Sequence, residues 1–242
     1  MNLKTIKPLI FTLSAGVLGL CWRLTLYRTG FDEKNILSAS HRLHLGCLVL
    51  TILVAVYLLW KVRRPEEADS LASPVIPLGP ICCFGAGCLM ALHGVSLARE
   101  IASVLDTVRT ALALGSALAL ASCALVPGKF RNLHALCHGL ISAFFALDML
   151  CRYRGWSGNP QLPDYVFHVF ACVLLSLTSY HRLALDTGSG KPGTLKFCSL
   201  MSLYLCLLCA AGPDPRPFFL GGALWAAACA AVPSVEPDAP SV

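Results

Sequence analysis

The chain has 242 residues, of which 56% are apolar and only 13% are charged. A water-soluble domain carries about 25% charged residues, so this composition excludes a surface that faces water throughout. The net charge of +6 does not indicate nucleic-acid binding, because the basic residues lie at the ends of apolar runs and form no stripe with interleaved aromatic side chains.

Successive apolar runs along the chain predict transmembrane helices, since a helix of about 20 residues crosses about 30 Å of hydrocarbon. The predicted spans are Pro8–Tyr27, Leu43–Val62, Pro80–Ala98, Val108–Val126, Leu133–Cys151, Tyr165–Leu185, Leu195–Ala211 and Phe218–Val232. The last span has only 15 residues, which is about 22 Å of helix. We therefore expect an all-α, polytopic transmembrane helical bundle of 7–8 spans, with eight favoured, over residues 1–232, followed by a disordered polar tail at residues 233–242.

Orientation follows from the distribution of Lys and Arg between the two sides of the membrane. Eight spans place ten of these residues on the side of the N-terminus and nine on the other side. Lys4 and Lys7 precede the first span, and for this reason we expect the N-terminus to lie inside the cell. The 13 cysteines lie in or beside apolar runs, where a thiol acts as a small packing residue.

Four ionisable residues fall at a similar depth near one end of the predicted bundle. Arg23 ends the first span, His93 lies late in the third, Asp148 lies late in the fifth, and His168 opens the sixth. Ionisable residues within a membrane are costly and often functional. We expect a polar cleft in which Arg23 pairs with Asp148 and the histidines bind ligand or relay protons. The alternative is interfacial: Arg23 reaches the headgroups, and Asp148 pairs with Arg152, four residues on along its own helix.

A second group of histidines lies at the opposite end. His134 and His138 share one face of the fifth span, with Cys137 beside them, and His181 ends the sixth span. Two histidines four residues apart and a third could hold a metal or haem, although covalent haem attachment requires Cys-x-x-Cys-His. The alternative is that these histidines lie at the level of the lipid headgroups and bind no metal. We assign no metal or cofactor and keep these three histidines as candidates.

The fourth span carries small residues at a spacing of four: Ala111, Gly115, Ala119 and Cys123. Such a face lets another helix approach closely, either within the chain or in a homo- or hetero-association. The sequence contains no nucleophile elbow, zincin helix or nucleotide-binding loop, so it does not predict an enzyme.

One segment is the run from Cys21 to Leu37, which includes Asp32-Glu33-Lys34-Asn35, and another is the run from Ser179 to Asp186. These two segments resemble a family of uncharacterised bacterial multi-pass membrane proteins. The resemblance implies a protein of the bacterial cytoplasmic membrane and carries no activity.

Three functions remain open from the sequence. The leading one is transport or ligand sensing of a small molecule or ion through the polar cleft. The others are a non-catalytic protein that acts through partners in the lipid bilayer, and an intramembrane metal or haem redox protein.

Overall fold

A computed structural model of the chain describes residues 3–29, 42–62, 78–126, 130–156, 162–212 and 216–231. This part of the chain contains eight α-helices and no strand. The helices are α1 Leu3–Thr29, α2 Arg42–Val62, α3 Leu78–Ala98, α4 Val104–Leu125, α5 Arg131–Trp156, α6 Leu162–Asp186, α7 Pro192–Cys209 and α8 Arg216–Ala231. The predicted all-α bundle is confirmed, whereas the predicted tail at residues 233–242 lies outside the described residues.

The difference from the predicted spans that bears on the site is at the start of α4, which begins four residues before the predicted Val108. Ser103 caps this helix, because its hydroxyl oxygen accepts a hydrogen bond of 3.2 Å from the backbone N–H of Asp106. The Ser103 hydroxyl in turn donates to the Asp106 carboxylate at 2.8 Å. These hydrogen bonds give the backbone N–H of Asp106, in the first turn of the helix, a partner. Because the helix begins at Val104, Arg109 lies in its second turn.

The helices pack as a bundle around α7 and α8. Helices α3, α4, α5 and α6 each pack against the next in chain order, and α8 lies against α3, α6 and α7. Helices α1 and α2 cover the remaining side of α7. Two-thirds of the apolar stretch of α7 is buried, 67% against 22% for α2, so α7 is a central helix and α2 is a peripheral one.

The outer surface of α2 is apolar. Val49, Ile52, Leu53 and Val56 are all more than half exposed. A contiguous apolar patch of this kind is unfavourable in water and is what a helix presents to lipid. The chain is accordingly a multi-pass membrane protein.

Seven of the helices are long and apolar enough to cross a membrane. The eighth, α8, has 16 residues, or about 24 Å of helix. Its short length is compensated by its position: Phe218, Phe219, Trp225 and Ala226 are buried, so one face of α8 packs against protein rather than against lipid. The predicted range of 7–8 spans is confirmed, with α8 as a short inner helix.

The small residues of α4 bring neighbouring helices close. A Cβ atom on Gly115 would lie 3.3 Å from Leu140 of α5, and Ala119 is buried. Ala111 is exposed. Of the four predicted small-residue positions, Gly115 and Ala119 are thus used for packing within the chain, while association with other molecules through this face stays a prediction.

Candidate functional site

Asp148 on α5 has no exposed surface and lies between two arginines. Its Oδ1 accepts a hydrogen bond of 2.7 Å from Nε of Arg109 and forms an ion pair with Nη2 of the same guanidinium at 2.6 Å. Its Oδ2 accepts a hydrogen bond of 2.5 Å from Nε of Arg152. Each carboxylate oxygen therefore meets a separate guanidinium group, which compensates for the removal of the charge from water. The predicted contact of Asp148 with Arg152 along the same helix is confirmed.

His93 on α3 is the third polar neighbour of this carboxylate. Its Nε2 lies 3.9 Å from Oδ1 of Asp148, which is too far for a hydrogen bond and close enough for a charge interaction. The ring packs against Phe218 and Phe144, with centroid distances of 5.1 and 6.4 Å. The side chain is 1% exposed, and neither ring nitrogen has a hydrogen-bond partner among the described residues.

Arg109 is the residue of this group that the sequence reasoning missed. The predicted span began at Val108, and an arginine at that position reads as an anchor in the headgroups. Because α4 begins at Val104, Arg109 lies in the second turn, and its side chain reaches Asp148 with only 16% of its surface exposed. The reciprocal cap formed by Ser103 and Asp106 was the signal available in the sequence.

Arg23 and His168 lie at the same end of the bundle, in a second group. Arg23 is fully buried: its Nη2 donates to the hydroxyl of Tyr27 at 2.6 Å, and its guanidinium carbon lies 5.2 Å from the ring centre of Phe167. His168 is also fully buried. A Cβ atom on Gly212 would lie 3.1 Å from Nε2 of His168 and 3.2 Å from the Tyr27 hydroxyl oxygen, so both groups meet at this glycine.

Two phenylalanines of α8 lie between the two groups. The guanidinium of Arg152 lies 4.5 Å from the ring centre of Phe218 and 5.7 Å from that of Phe219. The opposite neighbour of Phe219 is the His168 ring, at 5.1 Å. The start of α8 thus packs against the basic groups of both clusters.

All four predicted cleft residues are buried at one end of the bundle, but they are divided. His93 lies beside Asp148, whereas His168 lies with Arg23. The ion-pair partners of Asp148 in the described part of the chain are Arg109, Arg152 and His93, so the expected pairing with Arg23 is replaced by one with Arg109. Arg23 does not reach the headgroups, as the alternative expected, because its side chain is enclosed by protein.

The histidine group at the other end of the bundle is only partly as predicted. His134 and His138 lie together, with ring centres 6.1 Å apart. Their third neighbour is Cys123 of α4; one ligand atom from each of these three residues lies within 4.8 Å of the others. His181 does not belong to this cluster and instead packs against Tyr180 at 5.5 Å. The sequence signal for Cys123 was its place at the end of the small-residue face.

Asp186, at the end of α6, was also missed. One of its carboxylate oxygens accepts a hydrogen bond of 2.6 Å from Nδ1 of His138, and the other lies 3.4 Å from Nη2 of Arg182. Its backbone carbonyl accepts a hydrogen bond of 3.0 Å from Arg131. The end of α6 is thereby fixed to the start of α5.

Helical fold, lipid-facing surface and buried ionic groups define the class: an α-helical multi-pass membrane protein. A scan against protein-family models finds no match, and searches of curated proteins and of solved structures find no similar chain.

Proposed function

We propose that this protein transports or senses a small ion or polar solute, and that the group formed by Asp148, Arg109, Arg152 and His93 takes part in binding it. One observation carries the proposal: a carboxylate with no exposed surface is held by two arginines inside a membrane bundle. Ionisable groups at such positions are expensive to bury, and they mark ion and substrate pathways in membrane proteins.

His93 gives this group the capacity to respond to protonation. A proton on the His93 ring would interact favourably with Asp148, at 3.9 Å, and would change the charge of the whole group without any movement of a helix. Arg109 is the partly exposed member, and it connects the buried carboxylate with the bundle surface. A solute that reaches Arg109 would either compete with Asp148 for this arginine or bind beside the existing ion pair.

Arg23 and His168 extend the proposed site. They lie beyond Phe219, which separates them from Arg152. A movement of the start of α8 would bring the two groups into contact or separate them further. The resemblance noted in the sequence and the lysines Lys4 and Lys7 support a place in the bacterial cytoplasmic membrane with the N-terminus inside.

The test uses purified protein in liposomes that contain a pH-sensitive dye. Proton entry is followed under a potassium diffusion potential, with chloride, acetate, phosphate or glycine outside. We expect a flux above that of protein-free liposomes, or stabilisation of the detergent-solubilised protein by one of these solutes if it is a sensor. In His93→Gln, the rate or the affinity should fall by about tenfold, the effect of losing about 1.4 kcal/mol of interaction.

His181→Gln is the matched control, because His181 is a histidine of a spanning helix that belongs to neither group. It should retain the wild-type behaviour. The proposal is wrong if the wild type gives neither flux nor stabilisation, or if His93→Gln and His181→Gln behave alike.

A further inference from the structure

A pocket of about 420 Å³ lies at the end of the bundle where α4 ends and α5 begins. Its lining includes two histidines and three cysteines: Cys83, Cys123, His134, His138 and Cys229. Nitrogen and sulfur donors of this kind suit soft or borderline metal ions, in particular Zn²⁺ and Cu⁺. The chemistry of this lining differs from that of the Asp148 group, which offers oxygen donors and guanidinium groups.

The distance between two of the candidate ligands in this pocket matches that of a metal site. In a tetrahedral zinc site with Zn–N of about 2.0–2.1 Å and Zn–S of about 2.3 Å, the nitrogen and sulfur ligands lie about 3.5 Å apart. The distance from Sγ of Cys123 to Nε2 of His138 is 3.5 Å. A ligand atom of His134 lies within 4.8 Å of the other two, so a side-chain rotation of His134 completes a set of three ligands.

His138 is oriented as metal-binding histidines are. Its Nδ1 is 2.6 Å from the carboxylate of Asp186, an ionised acceptor, so this nitrogen carries the proton and donates it. The lone pair is then on Nε2, which faces Cys123. A carboxylate behind the non-ligating nitrogen is the usual outer partner of a ligating histidine. Trp225, at 5.2 Å from the ring centre, stacks on His138 and fixes the plane of its ring.

His134 has a ring nitrogen that makes no hydrogen bond with the rest of the described fold. Its Nε2 is buried and has no hydrogen-bond partner among the described residues. A buried polar atom without a partner costs free energy, and a bound ligand removes that cost. This observation is independent of the spacing between Cys123 and His138.

We propose that Cys123, His134 and His138 bind one Zn²⁺ or Cu⁺ ion per chain. On binding, the Cys123 S–H bond breaks, its proton passes to solvent, and the sulfur electron pair forms the bond to the metal. The two histidines bind as neutral rings through one nitrogen each. The three ligands satisfy Cu⁺, and Zn²⁺ takes a fourth ligand from water or from a neighbouring thiol of the pocket.

The charges around the pocket are compatible with a cation. Arg182 lies in the lining and forms an ion pair with Asp186. Asp186 is ionised in its role as the outer partner of His138, so its negative charge offsets that of Arg182. The Cys123 thiolate adds a negative charge on binding. The site is independent of the proposed function, because it lies at the opposite end of α5 from Asp148.

The experiment starts from protein purified under reducing conditions, with the affinity tag removed and bound metal stripped by a chelator. Zn²⁺ and Cu⁺ are titrated separately against a chromophoric competitor, and the metal content is measured by elemental analysis. Co²⁺ serves as a spectroscopic substitute, since a thiolate-to-cobalt charge-transfer band reports a bond to sulfur. We expect one ion per chain, a thermal midpoint that rises with metal concentration, and a cobalt band that Cys123→Ser abolishes.

Variants separate the ligands from their surroundings. Cys123→Ser and His134→Gln should weaken binding by about 100-fold or more, and Asp186→Asn by about 10–100-fold, the range seen for outer partners of metal ligands. Cys88→Ser and His181→Gln, an exposed cysteine of α3 and a histidine outside the cluster, should bind as the wild type does. His134→Gln breaks no side-chain hydrogen bond among the described residues, so its thermal midpoint without metal should stay close to that of the wild type.

Tight binding of either Zn²⁺ or Cu⁺ that depends on Cys123 and His134 supports the site and identifies its metal. The proposal is overturned if neither ion binds the folded wild type at one per chain. It is overturned equally if binding survives both Cys123→Ser and His134→Gln.

Discussion

Asp148 is tolerated inside the bundle because its two oxygens are matched by two guanidinium groups that come from different helices. Arg152 follows on the same helix, whereas Arg109 comes from α4. The pair of contacts joins α4 to α5 as a polar cross-link in a region that is otherwise apolar. Removing one member of such a group strongly destabilises the protein, because a buried charge is then left without its partner.

Replacing Asp148 by Asn tests this cost. The amide keeps the shape of the side chain but removes the charge that both arginines meet, so the free energy of unfolding should fall by about 3–5 kcal/mol. The measurement is the apparent stability of the detergent-solubilised protein. Glu100→Gln, at an exposed position after α3, is the control and should change little. Equal stabilities for the two variants would show that the ionic group does not support the fold.

Trp225 and Ser179 make a second residue-level test. Nε1 of Trp225 donates a buried hydrogen bond of 2.9 Å to the hydroxyl of Ser179, which joins α8 to α6. A double-mutant cycle with Trp225→Phe and Ser179→Ala should give a coupling of about 0.6–1 kcal/mol in the free energy of unfolding. The cycle isolates the hydrogen bond, because the loss of buried ring area in Trp225→Phe occurs both with and without Ser179 and cancels. A coupling near zero would contradict the assigned hydrogen bond.

At the scale of elements, α5 carries both candidate sites. His138 and Asp148 are ten residues apart on this helix, a distance of about 15 Å along its axis. Helix α8 contacts both: Phe218 lies on Arg152 beside Asp148, and Trp225 stacks on His138. A rotation or shift of α8 would therefore act on both sites together.

The close approach of α3 and α4 depends on a glycine. A Cβ atom on Gly87 would lie 3.0 Å from the carbonyl oxygen of Ala117 and 3.3 Å from the backbone nitrogen of Ala121. Gly87→Ala should separate the two helices and lower the free energy of unfolding by about 1–3 kcal/mol. The measurement is a thermal unfolding midpoint.

Gly155→Ala is the matched control for this element. A Cβ atom there would meet nothing within 4 Å, at the exposed end of α5. Alanine has the higher helix propensity, by up to about 1 kcal/mol, so this variant should be neutral or more stable. If both alanine variants shift the midpoint in the same direction, packing of α3 on α4 is not the cause.

For the whole molecule, the course of α8 decides at which end of the bundle the last described helix finishes. Phe219 lies near His168 at the start of α6, and Trp225 bonds to Ser179 further along, so α8 runs parallel to α6. Arg23 of α1 lies near Cys209 of α7, at the end where α8 begins. The first helix therefore starts, and the last helix finishes, at the same end of the bundle.

This geometry predicts that both termini face the same compartment. Reporter fusions to either end of the full chain, active on only one side of the membrane, should give the same result. With the N-terminus inside, both should report the cytoplasm. Opposite results would show that α8 enters the membrane without completing a crossing.

The sequence by itself determined the class of protein and the positions of the helices. Runs of apolar residues as long as the hydrocarbon is thick have no stable alternative, because backbone groups in lipid must pair within the helix. The same local reasoning found the contact of Asp148 with Arg152, which depends only on a spacing of four along one helix. It also placed His134 beside His138.

Only the tertiary structure decided which residues from different helices meet. Arg109 lies 39 residues from Asp148, and Cys123 lies 15 residues from His138. Their contacts depend on how far each helix is rotated about its axis and on which helix is its neighbour. In an apolar bundle many packings have similar hydrophobic free energy, and a few polar groups, small residues and close backbone contacts select among them. The four ionisable residues that the sequence assigned to one cleft were for this reason divided into two groups, and the histidines acquired a cysteine as their third member.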